Sequence, residues 1–341
     1  MIDRLFVCSS DGFDPYANLA LEQALLERVG AGELILYLWR NARTVVIGRN
    51  QNPWKECRTT LLTQEGGRLA RRLSGGGAVF HDLGNLNFTF LMREEDYDLP
   101  RQLSVIETAC RSLGIPVERS GRNDLLADGR KFSGNAFYKH NGAAYHHGTL
   151  MVDVDTDLAM RYLSPSKAKL AAKGVDSVRS RIVNLREFVP ALTIDQLSDA
   201  LIAALVDVYV PNLSLRDQCA HWSRQSVPSV QTISPDEFDL SELTAKYASD
   251  AWLYGQKLPF TLSVEDRFPW GGVELQLHIE SGVIRSAKVY TDAMDDMLAV
   301  RIEQILPGTA FRGSDLSELL EHTDLPEPQR SDLLTLLRKA M

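Results

Sequence analysis

Three consecutive glycines between two apolar stretches limit most strongly what this chain can fold into. The run reads Arg71-Arg72-Leu73-Ser74-Gly75-Gly76-Gly77-Ala78-Val79-Phe80-His81-Asp82, and it is neither a P-loop nor a G-x-G-x-x-G turn. Glycine has no Cβ, so the backbone can approach a ligand closely and its successive N–H groups can surround an anion. Arg72 can donate paired hydrogen bonds to a phosphate or a carboxylate. The run predicts an anion-binding turn between two strands, with a flexible surface hairpin as the alternative.

Apolar periodicity predicts strands that return in hairpins through the first half of the chain. Predicted strands cover 2–9, 34–39, 44–47, 69–72, 78–80, 86–91, 115–118, 125–127, 130–133 and 144–153. Predicted helices begin at Asp14-Pro15 and at Asn52-Pro53, the latter ending near residue 66, and two more cover 103–113 and 194–209. Because strands and helices do not alternate regularly, we expect an α+β domain with a mixed or antiparallel sheet.

A second pattern begins near residue 256. Residues 273–279 alternate strictly, Ser281-Gly282 makes a turn, and residues 283–290 return as a second strand. Helices are predicted near 240–254, 294–306 and 316–322. We therefore expect a large domain over 1–246 with its core at about 30–215, a linker over 247–257, and a smaller α+β domain over 258–341.

A lysine lies just inside a predicted tight turn. Asp128-Gly129 is a strong hairpin sequence, so the strand that carries Lys131 should pair with residues 125–127. A pocket lysine can bind a carboxylate and then stabilise the charge that develops on an α-phosphate. Asp124 is suited to Mg²⁺ or to an incoming ammonium group. A solvated surface lysine is an equally open alternative.

Two further stretches carry polar side chains that suit an anionic substrate. Adjacent residues of a strand point to opposite faces, so His146 and His147 do not easily share a metal, and we expect one of them to face a pocket with Thr149. The basic stretch 167–186 contains Lys173, Ser177, Arg179 and Arg181. It predicts a mobile loop that orders over an anionic intermediate, with a solvated basic loop as the alternative.

Composition excludes some classes of protein. The chain has 341 residues, 44% of them hydrophobic, and a net charge of −8, which argues against nucleic acid as a bulk partner. No signal peptide and no apolar run long enough to span a membrane is evident. The four cysteines are far apart, which favours free thiols in a reduced, cytoplasmic protein. A monomer is the default expectation.

Several long motifs, in order and in register, resemble those of the lipoate–protein ligases. They are RRLSGGGAVFHDLGN, GRND, GRKFSGNA, HHGTL and KGVDSVRSRIVNL, with WRNARTVVIGRNQNPWKEC upstream and RFPWGGVEL downstream. The resemblance covers the chain from about Tyr16 to about Phe311 and is closest to the larger bacterial form. It implies the biotin/lipoate–protein ligase catalytic fold, a mixed sheet with helices related to class II synthetase cores, followed by a small C-terminal domain.

The resemblance also implies a reaction. ATP with Mg²⁺ would activate lipoate as lipoyl-AMP, and a specific lysine of a lipoyl domain would then take the lipoyl group. The implied carriers are apo lipoyl domains of 2-oxoacid dehydrogenase complexes and the glycine cleavage H protein. The C-terminal domain, which carries no catalytic motif, is expected to move between the two steps.

The matching positions assign roles to the motif residues. Arg72, Gly77, Ala78, Val79 and Phe80 match nucleotide-contacting positions, and Ser74, Gly75, Gly76, His147, Gly148 and Thr149 match lipoate-contacting ones. Lys131 matches the lysine that contacts both the lipoate carboxylate and the adenylate phosphate. Asp124 lies on a position of the same tunnel, and Lys173, Ser177, Arg179 and Arg181 fall in the adenylate-closing loop.

Three alternatives stay open beside this interpretation. An octanoyl- or lipoyl-transferase that works through a thioester needs a reactive cysteine in the pocket, and none of the four cysteines lies in the pocket motifs. A biotin ligase lacks support because its GRGRxGR-type loop is not present. A non-catalytic lipoate- or adenylate-binding protein should have lost Lys131 or the glycines, and both are retained.

Overall fold

The computed structural model describes residues 2–120, 124–164, 181–210, 230–255 and 260–339, and these form two compact units. Unit 1 comprises Met1–Val46, Cys57–Ala70 and Val79–Ser249. Unit 2 comprises Ile47–Glu56, Arg71–Ala78 and Asp250–Met341. Two short stretches from the first quarter of the chain are therefore grouped with its last quarter. The domain boundaries 1–246, 247–257 and 258–341 stay a prediction.

A mixed sheet of eight strands forms the centre of unit 1. Its strand order is β11-β1-β2-β6-β10-β9-β8-β7, and a second sheet has the order β4-β3-β5. The strands are β1 (Arg4–Ser9), β2 (Glu33–Trp39), β3 (Thr44–Ile47), β4 (Arg68–Arg71), β5 (Val79–His81), β6 (Asn85–Arg93), β7 (Glu118–Ser120), β8 (Asp124–Ala127), β9 (Arg130–His140), β10 (Ala143–Met151) and β11 (Val230–Ile233). Strand β1 is parallel to β2 and to β11, and the pairs β2–β6, β6–β10, β10–β9, β9–β8 and β8–β7 are antiparallel. The expected α+β domain with a mixed sheet is confirmed.

The helices described up to residue 254 lie in unit 1, except those at Pro53–Glu56 and Asp250–Tyr254, which lie in unit 2. They are α1 (Pro15–Arg28), α2 (Pro53–Glu56), α3 (Thr59–Gln64), α4 (Leu99–Ser112), α5 (Thr156–Tyr162), α6 (Ile194–Tyr209), α7 (Ser241–Ala248) and α8 (Asp250–Tyr254), with 3₁₀ turns at Glu94–Asp96, Leu185–Glu187 and Pro235–Glu237. Helices α4 and α6 pack together over the apolar cluster on one face of the sheet, while α1 contacts β2, β6 and β10. Asp14 caps α1, and a capping box of Thr193 and Gln196 opens α6 at the predicted residue.

Some elements differ from the sequence prediction. The helix predicted from Pro53 to about residue 66 is two helices, α2 and α3, and the helix predicted over 240–254 is interrupted at Ser249. The strand predicted over 115–118 begins only at Glu118. Strand β11 and helix α5 were not predicted, because β11 is a short strand between Pro228 and Pro235 and α5 has only seven residues.

A β-bulge in strand β9 sets the direction of Lys131. Leu125 pairs with Ser133 and Leu126 with Lys131, so Phe132 is the extra residue. Phe132 is fully buried in the apolar cluster beneath the sheet, beside Leu125. The bulge thus lets Phe132 fill the core while Lys131 stays half-exposed on the sheet.

Unit 2 is built on a three-stranded antiparallel sheet. The strands are β12 (Leu262–Phe268), β13 (Gly271–Glu280) and β14 (Val283–Thr291), followed by α9 (Leu298–Ile305), α10 (Gly313–Glu321) and α11 (Glu327–Arg338). Val273, Leu275 and Leu277 alternate into a core that Ile302, Leu316 and Leu336 complete. The predicted hairpin of β13 and β14 is confirmed by their pairing, while β12 and α11 were not predicted.

Candidate functional site

Lys131 and Asp124 form an ion pair on the neighbouring strands β9 and β8. The Nζ of Lys131 lies 2.7 Å from Oδ1 of Asp124, and the two side chains are 38% and 34% exposed. A pair this exposed contributes little to stability, and its partners exchange readily with solvent or with a ligand. The ammonium has three donors, so Lys131 can keep Asp124 and still bind another oxygen. The structure thus brings the two predicted catalytic residues together.

The backbone of Lys131 forms hydrogen bonds with the last part of the predicted closing loop. Its N–H donates to the carbonyl of Arg181 at 2.6 Å, and its carbonyl accepts from the N–H of Val183 at 2.9 Å. Arg181 is therefore placed directly beside Lys131. The other predicted members of the closing loop, Lys173, Ser177 and Arg179, lie outside the described residues.

Gly148 and Thr149 on β10 pack against the strand that carries Lys131. The hydroxyl of Thr149 accepts from the N–H of Gly134 at 3.3 Å. A Cβ on Gly148 would lie 2.8 Å from the carbonyl of Gly134, and a Cβ on Gly134 would lie 2.9 Å from Nζ of Lys131. Gly148 is therefore required for close approach to the backbone of Gly134, whereas a side chain at Gly134 would have to displace only the flexible end of Lys131.

His147 belongs to a buried polar network on the face of the sheet that α1 covers. Its Nδ1 lies 2.8 Å from Oε1 of Glu22, which also accepts from the hydroxyl of Thr89 at 2.7 Å. The indole N–H of Trp39 donates to Thr89 at 3.1 Å. Sequence reasoning missed Glu22, although a glutamate inside the apolar run of α1 is an unusual residue for a buried helix face. Glu22 is 2% exposed.

His146 points to the opposite face of the sheet and is fully buried. Its Nδ1 lies 3.0 Å from Oε1 of Gln102, and its Nε2 lies 2.9 Å from Oδ1 of Asn135. Burial, and to a lesser degree the neighbouring His147, lowers the pKa of His146 to about 3. The ring is thus neutral at physiological pH. The structure places the two histidines on different faces, and only His147 shares a face with Thr149.

Arg72 binds the carbonyls of its own glycine loop, which we define as residues 71–78. Its Nη2 donates to the carbonyls of Gly75 and Gly77, both at 2.7 Å, and its Nε donates to the hydroxyl of Ser74 at 3.0 Å. The side chain is buried, since Arg72 is only 6% exposed. The positive charge of Arg72 therefore lies inside the loop, where it orients the backbone.

The middle of the glycine loop packs tightly against the residues before α9, within unit 2. The N–H of Gly76 donates to the carbonyl of Ala293 at 3.0 Å, and Gly76 has a φ of +88°. A Cβ on Gly75 would lie 2.4 Å from the carbonyl oxygen of Ala293. A Cβ on Gly77, by contrast, would have no neighbouring atom within 4 Å. Gly75 and Gly76 are thus fixed by packing, whereas Gly77 faces open space.

The remaining nucleotide-binding candidates follow the loop. Val79 and Phe80 lie on β5 and pair with Val46 and Val45 of β3. The ring of Phe80 packs against Tyr162 with centroids 5.7 Å apart, and Ala78 is partly exposed just before the strand. The apolar strand predicted after the glycines is therefore present.

The described cysteines are poor nucleophiles. Cys8, Cys57 and Cys110 are at most 2% exposed, and burial raises the pKa of each thiol to about 12. A thiolate, the form that attacks acyl groups, is thus strongly disfavoured at these three positions near neutral pH. Acyl transfer through a thioester gains no support from them.

The described ranges contain neither a preformed metal cluster nor a membrane-spanning helix. No group of three or more histidine, cysteine, aspartate or glutamate side chains there is arranged to hold a metal ion. Mg²⁺ commonly needs only one or two protein carboxylates, with water and phosphate oxygens as its other ligands, so the single carboxylate of Asp124 fits that pattern. No helix in these ranges is long and apolar enough to cross a membrane.

Comparisons with known proteins give the same picture over the whole chain. The model of the lipoyl protein ligase A/B catalytic domain matches residues 14–206, and that of the bacterial lipoate protein ligase C-terminus matches residues 257–337. LipL1 of P. falciparum, solved in complex with lipoate, is 26% identical with a TM-score of 0.83, covering 98% of this chain and 99% of that one.

Two other solved structures match about three quarters of this chain. A bi-partite lipoate protein ligase of Thermoplasma acidophilum, described with its E2 lipoyl domain, is 26% identical with a TM-score of 0.62 and covers 77% of this chain and 100% of that one. A lipoate-protein ligase A bound with ATP is 26% identical with a TM-score of 0.60 and covers 75% and 99%.

Proposed function

The chain belongs to the lipoyl protein ligase A/B catalytic-domain family, and on that premise we propose that it attaches lipoate to carrier proteins at the expense of ATP. The predicted family and fold are confirmed by the two family matches and by the solved relatives. The observation that carries the proposal is the half-exposed ammonium of Lys131, paired with Asp124 within the motifs of that family. The relatives solved with lipoate and with ATP support both substrates.

The proposed reaction has two steps. In the first, a lipoate carboxylate oxygen attacks the α-phosphorus of ATP, the bond to the β-phosphate oxygen breaks, and lipoyl-AMP and pyrophosphate form. In the second, a carrier lysine amine attacks the lipoyl carbonyl, AMP leaves with the bonding electron pair, and the amine loses a proton. A carboxylate is a poor electrophile, and bonding one of its oxygens to AMP converts that oxygen into part of a good leaving group, which makes amide formation possible.

Lys131 would stabilise negative charge and would not form a covalent bond to the substrate. Its ammonium would bind the lipoate carboxylate and then stabilise the negative charge on the oxygens of the α-phosphate. Asp124 holds the ammonium from the other side, and Gly134 leaves room for it. In the second step, Asp124 would orient the incoming amine of the carrier lysine.

The remaining residues would bind the substrates. The nucleotide-binding residues would be Arg72, Gly77, Ala78, Val79 and Phe80, with Arg72 holding the carbonyls of Gly75 and Gly77. Ser74, Gly75 and Gly76 would contact lipoate. His147, Gly148 and Thr149 would contact lipoate, with Glu22 orienting the imidazole of His147. The closing loop, which includes Arg181, would cover the adenylate.

Mg²⁺ would bind together with ATP. Asp124 is the residue that would hold it, together with phosphate oxygens. When bound, Mg²⁺ neutralises phosphate charge and makes pyrophosphate a better leaving group. The chain's own contribution remains the placement of Lys131 and of the glycine loop.

The carriers would be apo lipoyl domains of 2-oxoacid dehydrogenase complexes and the glycine cleavage H protein. The archaeal relative described with an E2 lipoyl domain supports the first class. A cytoplasmic, monomeric protein in which the C-terminal domain moves between the steps completes the proposal. Identical domain orientations with and without lipoyl-AMP would contradict that movement.

One assay tests the proposal directly. The protein is incubated with an apo lipoyl domain, lipoate, ATP and Mg²⁺, and the carrier is examined by mass spectrometry. We expect one lipoyl mass gain on a single carrier lysine, and no gain when ATP is omitted. ATP-independent modification would identify a transferase, and tight binding of lipoyl-AMP without any modification would identify a non-catalytic binding protein.

A further inference from the structure

Arg71, the residue before Arg72, is buried and its guanidinium donates to backbone carbonyls. Its guanidinium is not placed for a ligand, since the residue is only 6% exposed. It donates to the carbonyl oxygens of Gly48 at 3.2 Å, Arg49 at 2.8 Å, Gln51 at 2.8 Å, Trp252 at 2.9 Å and Leu253 at 2.6 Å. A planar group with five N–H donors is the side chain that can reach acceptors in several directions at once.

Within the described residues, the hydrogen bonds of the Arg71 guanidinium end on backbone carbonyls and none on a carboxylate. Burial lowers the pKa of Arg71 to about 10, so the group still carries its charge at neutral pH. A buried cation is costly unless hydrogen bonds replace its water, and here backbone carbonyls do so. Apolar packing is often at least as stable as a buried charge, so stability alone does not explain an arginine at this position.

The carbonyls that Arg71 binds belong to two segments that border the glycine loop. The turn 48–51 touches the loop directly, because the N–H of Arg49 donates to the carbonyl of Ser74 at 2.9 Å and a Cβ on Gly48 would lie 2.3 Å from the carbonyl oxygen of Gly76. On the other side, the indole N–H of Trp252 donates to the carbonyl of Arg71 itself at 2.8 Å. The side chain of Arg71 thus binds both segments, and its backbone carbonyl also binds the segment that contains Trp252.

We infer that Arg71 is a positioning residue for the glycine loop, setting the place of Arg72 and of the loop N–H groups without contacting a substrate. The inference rests on the proposed function, in which this loop binds the nucleotide. Arg71 fixes the start of the loop, the turn 48–51 supports its middle, and Arg72 shapes its interior. A lysine cannot replace Arg71, because an ammonium is a compact charge that cannot reach acceptors on both segments.

The test compares Arg71→Lys with Arg68→Lys, a matched change on the same strand at an exposed arginine that pairs with Asp14. Lipoate-dependent exchange between ATP and pyrophosphate gives KM and kcat at a temperature where both variants are folded. For Arg71→Lys we expect kcat/KM for ATP to fall roughly 10- to 100-fold, mainly through KM, because a small displacement of binding groups has effects of that size. Arg68→Lys should match the wild type. An unchanged KM for ATP in folded Arg71→Lys protein overturns the inference.

A second variant covers the case in which Arg71→Lys does not fold. Trp252→Phe removes the indole N–H that binds the Arg71 carbonyl and keeps the charge, so we expect a smaller rise in KM for ATP in the same direction. If the wild type catalyses no exchange, the proposed function has failed, and hydrogen–deuterium exchange still decides the positioning role. Faster amide exchange in the peptide covering 72–78 of either variant supports it, and unchanged exchange refutes it.

Discussion

The glycine loop and the Lys131–Asp124 pair hold their polar groups in opposite ways. In the loop, the charge of Arg72 is buried and bound to the carbonyls of Gly75 and Gly77, and the N–H of Gly76 is bound to Ala293. On strands β8 and β9, the ammonium of Lys131 is half-exposed and held by the carboxylate of Asp124. The loop is fixed by hydrogen bonds to protein groups, whereas the ion pair is open to exchange with a ligand or with solvent.

The difference indicates how each region should respond to substitution. A buried side chain that binds only protein groups affects activity through the shape of the backbone, so its removal should lower the stability of the protein and its affinity for substrate. A half-exposed, weakly paired side chain stabilises the fold little, so its removal should lower mainly the rate of the chemical step. Substitutions in the two regions should therefore separate these two kinds of response.

The largest effect is expected for Lys131→Ala. Removing a donor that stabilises developing charge should lower lipoate-dependent pyrophosphate release roughly 10²- to 10³-fold. The melting temperature should change little, since the ion pair with Asp124 is exposed. Lys139→Ala is the matched control, because Lys139 is an exposed lysine on the same strand that pairs with Glu94 at 2.8 Å. Wild-type pyrophosphate release by the Lys131 variant would contradict the proposed mechanism.

Asp124→Ala should affect the second step. If Asp124 orients the carrier amine, transfer from preformed lipoyl-AMP should slow about 10- to 100-fold, since a hydrogen bond to a charged group contributes roughly 1.5–3 kcal/mol. The measurement is the single-turnover rate of carrier modification. Transfer at the wild-type rate would limit Asp124 to holding Lys131 or Mg²⁺.

Gly75→Ala should act mainly on stability. Its Cβ would lie 2.4 Å from the carbonyl oxygen of Ala293, and relieving an overlap with backbone costs roughly 1–3 kcal/mol. In a protein of this size that corresponds to a fall of several degrees in melting temperature. Gly77→Ala, at a position with open space around it, should leave the melting temperature unchanged. Equal melting temperatures for the two variants would show that the loop is not held by this packing.

The smallest effect concerns His146, a buried residue of β10, the strand that pairs with β9. Its folded pKa of about 3 lies below the ordinary value of 6.5, so the unfolded chain takes up a proton more readily. The contribution to stability is complete above pH 6.5 and is lost as pH falls toward 3. Between pH 7.5 and 6.0 the free energy of unfolding should fall by roughly 1 kcal/mol from this group. Denaturant titrations should show a weaker pH dependence in His146→Gln, and an identical dependence would assign the effect to other groups.

Local patterns in the sequence were sufficient where short-range physics decides the structure. The Asp128-Gly129 turn is present with positive φ at both residues, 51° and 69°, as a two-residue hairpin requires. The alternation that separates His146 from His147 follows from strand geometry alone. The glycine run lies between strands, as its apolar flanks indicated.

The features that the sequence did not predict depend on contacts between residues far apart in the chain. Strand β11 pairs in parallel with β1, its register placing Val230 beside Leu5, and no local pattern identifies a partner so far away. The bulge at Phe132 depends on the register between β8 and β9. The roles of Glu22 and Arg71 depend on Thr89, His147 and the carbonyls of distant segments, all of which are visible only in the folded chain.

The pairing of Gly76 with Ala293 has a consequence for the synthesis of the protein. Roughly 220 residues separate the two, so at 5–20 residues per second the ribosome delivers the partner about 10–40 s after the glycines. During that interval the large sheet can form most of its strands, but the loop lacks the carbonyl that fixes it. We therefore expect the glycine loop to become fixed only after Ala293 has been synthesised, and a chain truncated before residue 293 to lack this hydrogen bond.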